Sequence, residues 1–247
     1  MAKLDFSKFD EPNSCDHLDL RKEKGMNFKR IFLKVVVYGL LLLLIFSSLY
    51  ALFLRDLWVN KGITKTERNR EMPGDGYVNN PDTVYEQAIT INTPPEYVWS
   101  YLIQVGYKRA GWYNWDFINR LAADNYFYEN DRSADRVIPE LQNLNQGDKI
   151  SIVPDISFLV EEIKENDYLL LTGVEENEYV VTWAYKLNKV QENKTRLIVK
   201  WQSDIGDGFL FDLMNYVITE PAGAGIQQWE MLKGIKQRAE RDYNNTK

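Results

Sequence analysis

Histidine and cysteine are missing from most of this chain. The one histidine, His17, and the one cysteine, Cys15, both lie close to the N-terminus. Without them the remainder cannot run cysteine–histidine, serine–histidine or zinc–histidine chemistry in its usual forms. It also has no disulfide framework to mark its compartment. Cys15, Asp16 and His17 are adjacent, but a lone triplet without partner spacing falls far short of a zinc signature, and no metal or other cofactor is expected. Basic residues are scarce as well. Residues 71–247 carry 17 Lys/Arg against 28 Asp/Glu, a net charge of −11. Nucleic acid is therefore not an expected partner, because phosphate backbones are held by Lys and Arg. The pairs Gly74/Gly76, Gly206/Gly208 and Gly223/Gly225 lack the third glycine and the strand–turn–helix setting of a nucleotide fingerprint. Asp204, Asp207 and Asp212 miss the alternating spacing of a calcium loop. There is no internal repeat and no low-complexity tract.

What stands out is one uncharged run of 20 residues, Val35 to Leu54, reading VVVYGLLLLLIFSSLYALFL. As a helix at ~1.5 Å per residue it is as long as a bilayer core is thick. A cleavable signal peptide would start nearer the N-terminus and end in small residues, whereas here Arg55, Asp56 and Leu57 follow. A buried core helix of that length would show a polar face. The expected organisation is a polar, disordered tail at 1–30, a transmembrane helix at 31–55, a juxtamembrane linker at 56–82 and a folded domain at 83–242. The membrane bilayer is thus an expected partner. Counted close to the span, six basic residues precede the run (Arg21, Lys22, Lys24, Lys29, Arg30, Lys34) and five follow it (Arg55, Lys61, Lys65, Arg68, Arg70). The first set lies nearer the span, which places the tail in the cytoplasm and the domain outside.

Within the domain, TVYEQAITI (83–91) alternates as a strand. Thr93-Pro94-Pro95-Glu96 reads as a capping box that opens a helix through YVWSYLIQV and ends near Gly106. Trp112, Tyr113 and Trp115 crowd together just before Asp116, too aromatic for an ordinary surface loop. FLVEEI and YLLLTG are further strands. YVVTWAYKL puts Tyr179, Val181, Trp183, Tyr185 and Leu187 on one face. RLIVKWQ does the same for Leu197, Val199 and Trp201, and Asn188 to Thr195 is the expected hairpin loop. Such alternation predicts an antiparallel sheet with one face covered. A final helix from about Gly225 to Asp242 carries the stripe Ile226, Trp229, Leu232, Ile235 and Ala239.

The segments YEQAITINTPPEYVWSYLIQVGYKRAGWYNWDFINR and ADRVIPELQNLNQGD, with the later EP followed by MLKGIKQRAER, resemble the START and polyketide-cyclase (SRPBCC) superfamily over about residues 74–241. GWYNWD resembles a narrower bacterial subgroup. The resemblance implies an α+β helix-grip fold: a curved antiparallel sheet wrapped around a long C-terminal helix, here preceded by one transmembrane helix. It also implies a cavity between sheet and helix for a hydrophobic small molecule such as a lipid, sterol, quinone or polyketide. Trp112, Tyr113, Trp115, Trp183, Tyr185, Trp201, Phe211 and Trp229 are the candidate ligand-binding residues, since pockets are mostly apolar and aromatic. No catalytic residue is assigned. Asp116 is the one weak candidate: a carboxylate among aromatics can have a raised pKa, and with a tyrosine it would define a cyclase or dehydratase. The bland alternative is that Asp116 holds its loop. Arg109 either pairs with it, meets a ligand headgroup or is simply solvated. A third possibility is a non-catalytic interaction protein whose exposed GWYNWD segment is a partner surface.

Overall fold

The computed structural model describes residues 15–175, 178–204 and 224–247, and the chain divides into two units, Met1–Ser48 and Leu49–Lys247. The described residues of the first unit form one long helix, α1 (Cys15–Leu49), whose last residue opens the second unit. It begins inside the stretch expected to be a disordered tail; LDLRKEK there consists largely of good helix formers. Its portion Phe28–Leu49, 22 residues, is long and apolar enough to cross a membrane. The leucines at 40 to 44 all face outward.

The second unit starts with a π-helical turn (Tyr50–Leu54), α2 (Arg55–Val59) and α3 (Lys65–Arg68). Next come β1 (Thr83–Ile91), α4 (Pro95–Leu102), α5 (Asp116–Ala122) and a 3-10 turn (Pro139–Leu141). Five strands follow: β2 (Lys149–Val153), β3 (Ile156–Lys164), β4 (Tyr168–Glu175), β5 (Glu178–Gln191) and β6 (Lys194–Ser203). The last element is α6 (Ala224–Asn245). The strands form one antiparallel sheet in the order β1-β6-β5-β4-β3-β2. Register shifts at Ser151/Val153, Val160/Glu162, Gly173/Val174 and Lys189/Gln191 bend it, as bulges do. The curved sheet and the C-terminal helix make a helix-grip architecture. β1 has the bounds read from its alternation. β5 and β6 run further than expected, so most of the 188–195 loop is paired strand and the turn shrinks to Glu192-Asn193.

Two layers of packing hold the sheet. On its concave side Ile89, Ile91, Val181, Trp183, Tyr185, Leu187, Leu197 and Val199 pack with Met231, Leu232, Ile235 and Ala239 of α6 and with Val98 and Leu102 of α4. The opposite side was expected to face solvent. Instead Ala88, Leu170, Ala184 and Ile198 form a second apolar cluster under Met72, with Ile63 and Tyr77 beside it. Residues 56–82 are thus a strap laid across the back of the sheet. The strap also satisfies the edge of β1, where Ala88 N–H donates to the Lys61 carbonyl at 3.1 Å.

Ion pairs rivet the strap. Glu67 accepts from Arg196 Nε at 2.8 Å and from its Nη2 at 2.9 Å, and Arg196 also donates to the Gly62 carbonyl. Arg68 meets Glu86 at 3.0 Å, Lys200 meets Asp75 at 2.7 Å, and Tyr77 donates to Glu162. A capping box does exist, but here: Thr64 is the N-cap of α3 and Glu67 answers it. The expected box at Thr93 and Glu96 is absent. Pro94 is the N-cap, extended at ψ 155°, because a following proline disfavours helical geometry in the residue before it. Pro95 takes the first helical position, and the Thr93 hydroxyl donates to the Pro94 carbonyl.

Candidate functional site

Alternation along β5 and β6 places Trp183, Tyr185 and Trp201 on the concave side, with Trp183 and Trp201 directly paired across the strands. Their rings meet edge-on at 5.2 Å. Trp112 arrives from the segment before α5 and stacks on Trp183 at 5.1 Å with an interplanar angle of 16°. Tyr185 leans on Trp183 at 5.3 Å. Phe158 of β3, which the sequence reading passed over, closes the group edge-on to Trp183 and Trp201. Four of the eight candidates therefore form one aromatic cluster. Trp112, Trp183 and Tyr185 are buried and Trp201 is half-buried.

The cluster is anchored by a buried chain of amides. Trp183 Nε1 donates to Gln228 Oε1 at 3.1 Å, and Gln228 Nε2 donates to Gln87 Oε1 at 3.2 Å. Gln87 Nε2 in turn donates to the Gly225 carbonyl at 2.8 Å and to the Trp58 carbonyl. Gln87 of β1 and Gln228 of α6 thus fix the start of the helix against the sheet and aim the Trp183 indole. A glutamine at position five of an apolar strand was the only sequence signal for this. Tyr185 is enclosed, with the Met231 sulfur 3.8 Å from its hydroxyl, and burial pushes its pKa well above the usual 10. It is a poor acid or base at neutral pH.

The other candidates lie elsewhere. Tyr113 sits at a positive φ of 57°. Its ring meets Tyr101 edge-on, and Arg238 lies 4.6 Å over its face. Its hydroxyl accepts from Gln104 at 2.6 Å. Gly234 of α6 is why this packing is possible: a Cβ there would come within 2.2 Å of the Tyr113 carbonyl oxygen. Trp115 is 38% exposed and stacks loosely on Phe117, with Phe117 at 55% and Leu121 at 83% beside it on α5. The Trp229 ring borders the core but lies against Gly62 and 5.2 Å from the Lys61 ammonium. Phe211 and the Tyr179 side chain fall outside the described residues.

Asp116 is committed to its loop. One carboxylate oxygen accepts the Ser133 hydroxyl at 2.6 Å, the other the Ser133 N–H at 3.1 Å, and the Ser133 oxygen accepts Tyr113 N–H. That is the loop-holding alternative. Arg109 does not meet it. Its guanidinium is turned inward onto the carbonyls of Val105, Ile103 and Leu141, and burial lowers its pKa. Among the described residues, no group of three or more His, Cys, Asp or Glu side chains converges on a metal site.

Two of the grooves on the described surface are lined by none of the seven described candidates. One, about 480 Å³, lies between α4 and the β3–β4 turn, lined by Trp99, Ile103, Gln142 and Asn166 among others. The second, about 610 Å³, runs along the chain between Leu54 and Arg68.

No protein-family model matches the chain and no curated protein matches it. Solved structures similar to it include MLL2253 from Mesorhizobium loti (13% identity, 64% of this chain and 98% of that one, TM-score 0.36). CalC, a self-sacrificing resistance protein from Micromonospora echinospora, gives 14% identity over 65% of this chain and 96% of that one, TM-score 0.38. EF2215, a conserved protein of unknown function from Enterococcus faecalis, gives 16% identity over 68% and 86%, TM-score 0.35. Function lives in sites rather than in folds, so it has to be argued from this chain's own residues.

Proposed function

We propose that the chain is a membrane-anchored helix-grip module that holds a hydrophobic small molecule against the aromatic cluster beneath α6. The observation that carries this is the convergence of Phe158, Trp112, Trp183, Tyr185 and Trp201 on the concave side, with Trp201 still half open. Aromatic faces suit flat or acyl ligands, and such sites need few polar groups. Because the rings pack on one another, the ligand enters by replacing ring–ring contacts. The anchor reading rests on the 22-residue, largely apolar and outward-facing stretch Phe28–Leu49, whose apolar surface would be costly in water and is favourable in lipid. The domain chemistry argues for binding rather than turnover, since Asp116 is occupied by Ser133.

The test is native mass spectrometry with organic extraction of the full chain from mild detergent, followed by thermal shift with a panel of lipids, sterols and quinones. A co-purifying apolar mass that is lost in Trp183→Ala supports the reading. No such mass, together with no stabilising compound, overturns it. A second reading, a partner-binding protein, is favoured by one observation only, the exposed Trp115–Phe117–Leu121 face of α5. A pull-down partner retained when these three are changed to Ser, Ser and Gln would remove it.

A further inference from the structure

The groove between Leu54 and Arg68 has a composition that the hydrophobic-ligand reading does not use. One lip is apolar, with Leu54 and Leu57 exposed. Its charged residues are Lys61, Lys65 and Arg68, the last already paired with Glu86, against Asp56 as the one acidic residue in the lining; Trp58, Asn60, Gly62 and Ile63 complete it. Lys61 is held in place: its ammonium lies 3.6 Å from the Trp58 ring centroid and 5.2 Å from that of Trp229. Neither Lys61 nor Lys65 forms a salt bridge among the described residues, whereas neighbouring Lys233 is paired with Glu230 at 2.8 Å. Burial and then the charge of Lys233 lower the Lys61 pKa and Glu230 acts the other way, so the net cost of the Lys61 charge is one that an anion placed there would relieve. Leu54 lies five residues beyond Leu49, where the membrane-crossing stretch ends.

We propose that this groove is a site for the phosphate headgroup of an anionic phospholipid from the bilayer that the chain crosses. The phosphate sits against Lys61 and Lys65, and the glycerol and upper acyl chain lie along Leu54 and Leu57. The site rests on the membrane-anchor half of the functional reading and is independent of the aromatic cluster. Basic side chains at a membrane surface each favour anionic lipid by about 1 kcal/mol, and an aromatic-flanked lysine at the interface presents that charge without losing rotamer freedom on binding.

The experiment is native mass spectrometry of the full chain in mild detergent with added phosphatidylglycerol or phosphatidylcholine, repeated with inorganic phosphate as competitor. Vesicle flotation after alkaline wash is run in parallel. The expected result is one retained phosphatidylglycerol in preference to phosphatidylcholine. Retention should be weakened roughly thirtyfold in Lys61→Gln/Lys65→Gln, from two lysines at the lipid surface, and unchanged in Lys189→Gln/Lys247→Gln. Flotation should be the same for all three proteins. Equal retention of both lipids, or equal loss in the two double variants, overturns the site. Displacement by millimolar phosphate overturns the lipid source in favour of a free phosphate. Failure of flotation in the wild type, with lipid retention still dependent on Lys61 and Lys65, removes the anchor and leaves the site standing.

Discussion

Replacing Glu67 with glutamine isolates what the strap contributes. Its carboxylate accepts both nitrogens of an Arg196 fork, the Thr64 backbone N–H at 2.8 Å and the Thr64 hydroxyl at 2.9 Å. The Arg196 hydrogen bond lowers its pKa most; burial opposes, and the two Thr64 hydrogen bonds add to the lowering, leaving it at about 2 instead of the usual 4.5. Both side chains are only 15% exposed. A carboxyl so lowered contributes stability that is present above pH 4.5 and is lost as pH falls through about 2. Unscreened, at about 1.4 kcal/mol per pH unit, that is roughly 3.5 kcal/mol; solvent at the rim of the pair discounts it to about 1–2 kcal/mol. Glu67→Gln should therefore melt about 2–8 °C lower at neutral pH for a domain of this size. The gap from wild type should close between pH 4.5 and 2, because protonated Glu67 and glutamine are then nearly equivalent. The assay is far-UV circular dichroism of the full chain in detergent across that pH range, with hydrogen exchange over residues 60–80 as a local readout. Equal melting at neutral pH, or a gap undiminished near pH 2, would refute the strap argument.

Four other outcomes follow from the same geometry. Gly234→Ala should destabilise by about 2–3 kcal/mol despite alanine's better helix propensity, since its Cβ meets the Tyr113 carbonyl; chemical unfolding with an unchanged midpoint would contradict that approach. Asp116→Ala should cost about 1–2 kcal/mol by releasing Ser133, and should leave bound-ligand retention as it was. Trp183→Ala should cost about 3–5 kcal/mol, because it removes the ring on which four others lean, and should lose the co-purifying apolar mass. Burial holds Tyr126 neutral up to about 12 rather than 10, so its contribution is intact below pH 10 and disappears as pH rises through 12. Alkaline unfolding should accordingly shift less between the two ends of that range in Tyr126→Phe than in wild type.

The sequence made some of this legible and hid the rest for identifiable reasons. β1, the faces of β5 and β6, and the stripe of α6 followed from period-two and period-3.6 patterns, which depend only on near neighbours. The aromatic cluster was half visible: strand alternation put Trp183, Tyr185 and Trp201 together. Nothing local says that Trp112 turns in and Trp115 turns out; that depends on the left-handed backbone at Tyr113 and the bare face of Gly234, which are 121 residues apart. The strap looks like a linker in the sequence because its partners are distant. Glu67 finds Arg196 across 129 residues, and Tyr77 finds Glu162 across 85. Thr93 shows the converse: a convincing four-residue signature failed because Pro95 set the geometry of Pro94.

The Lys61 carbonyl on the β1 edge has a practical bearing on how this protein is cut for study. A fragment trimmed to begin at Thr83, the natural choice from sequence, would leave the Ala88 amide and its neighbours open for a second molecule to zip onto. It would also bare Leu170, Ala184 and Ile198 to water. Such material should clump in solution for reasons unrelated to the hydrophobic stem. Versions meant to behave as free globules are better started at Tyr50, keeping the backing in place.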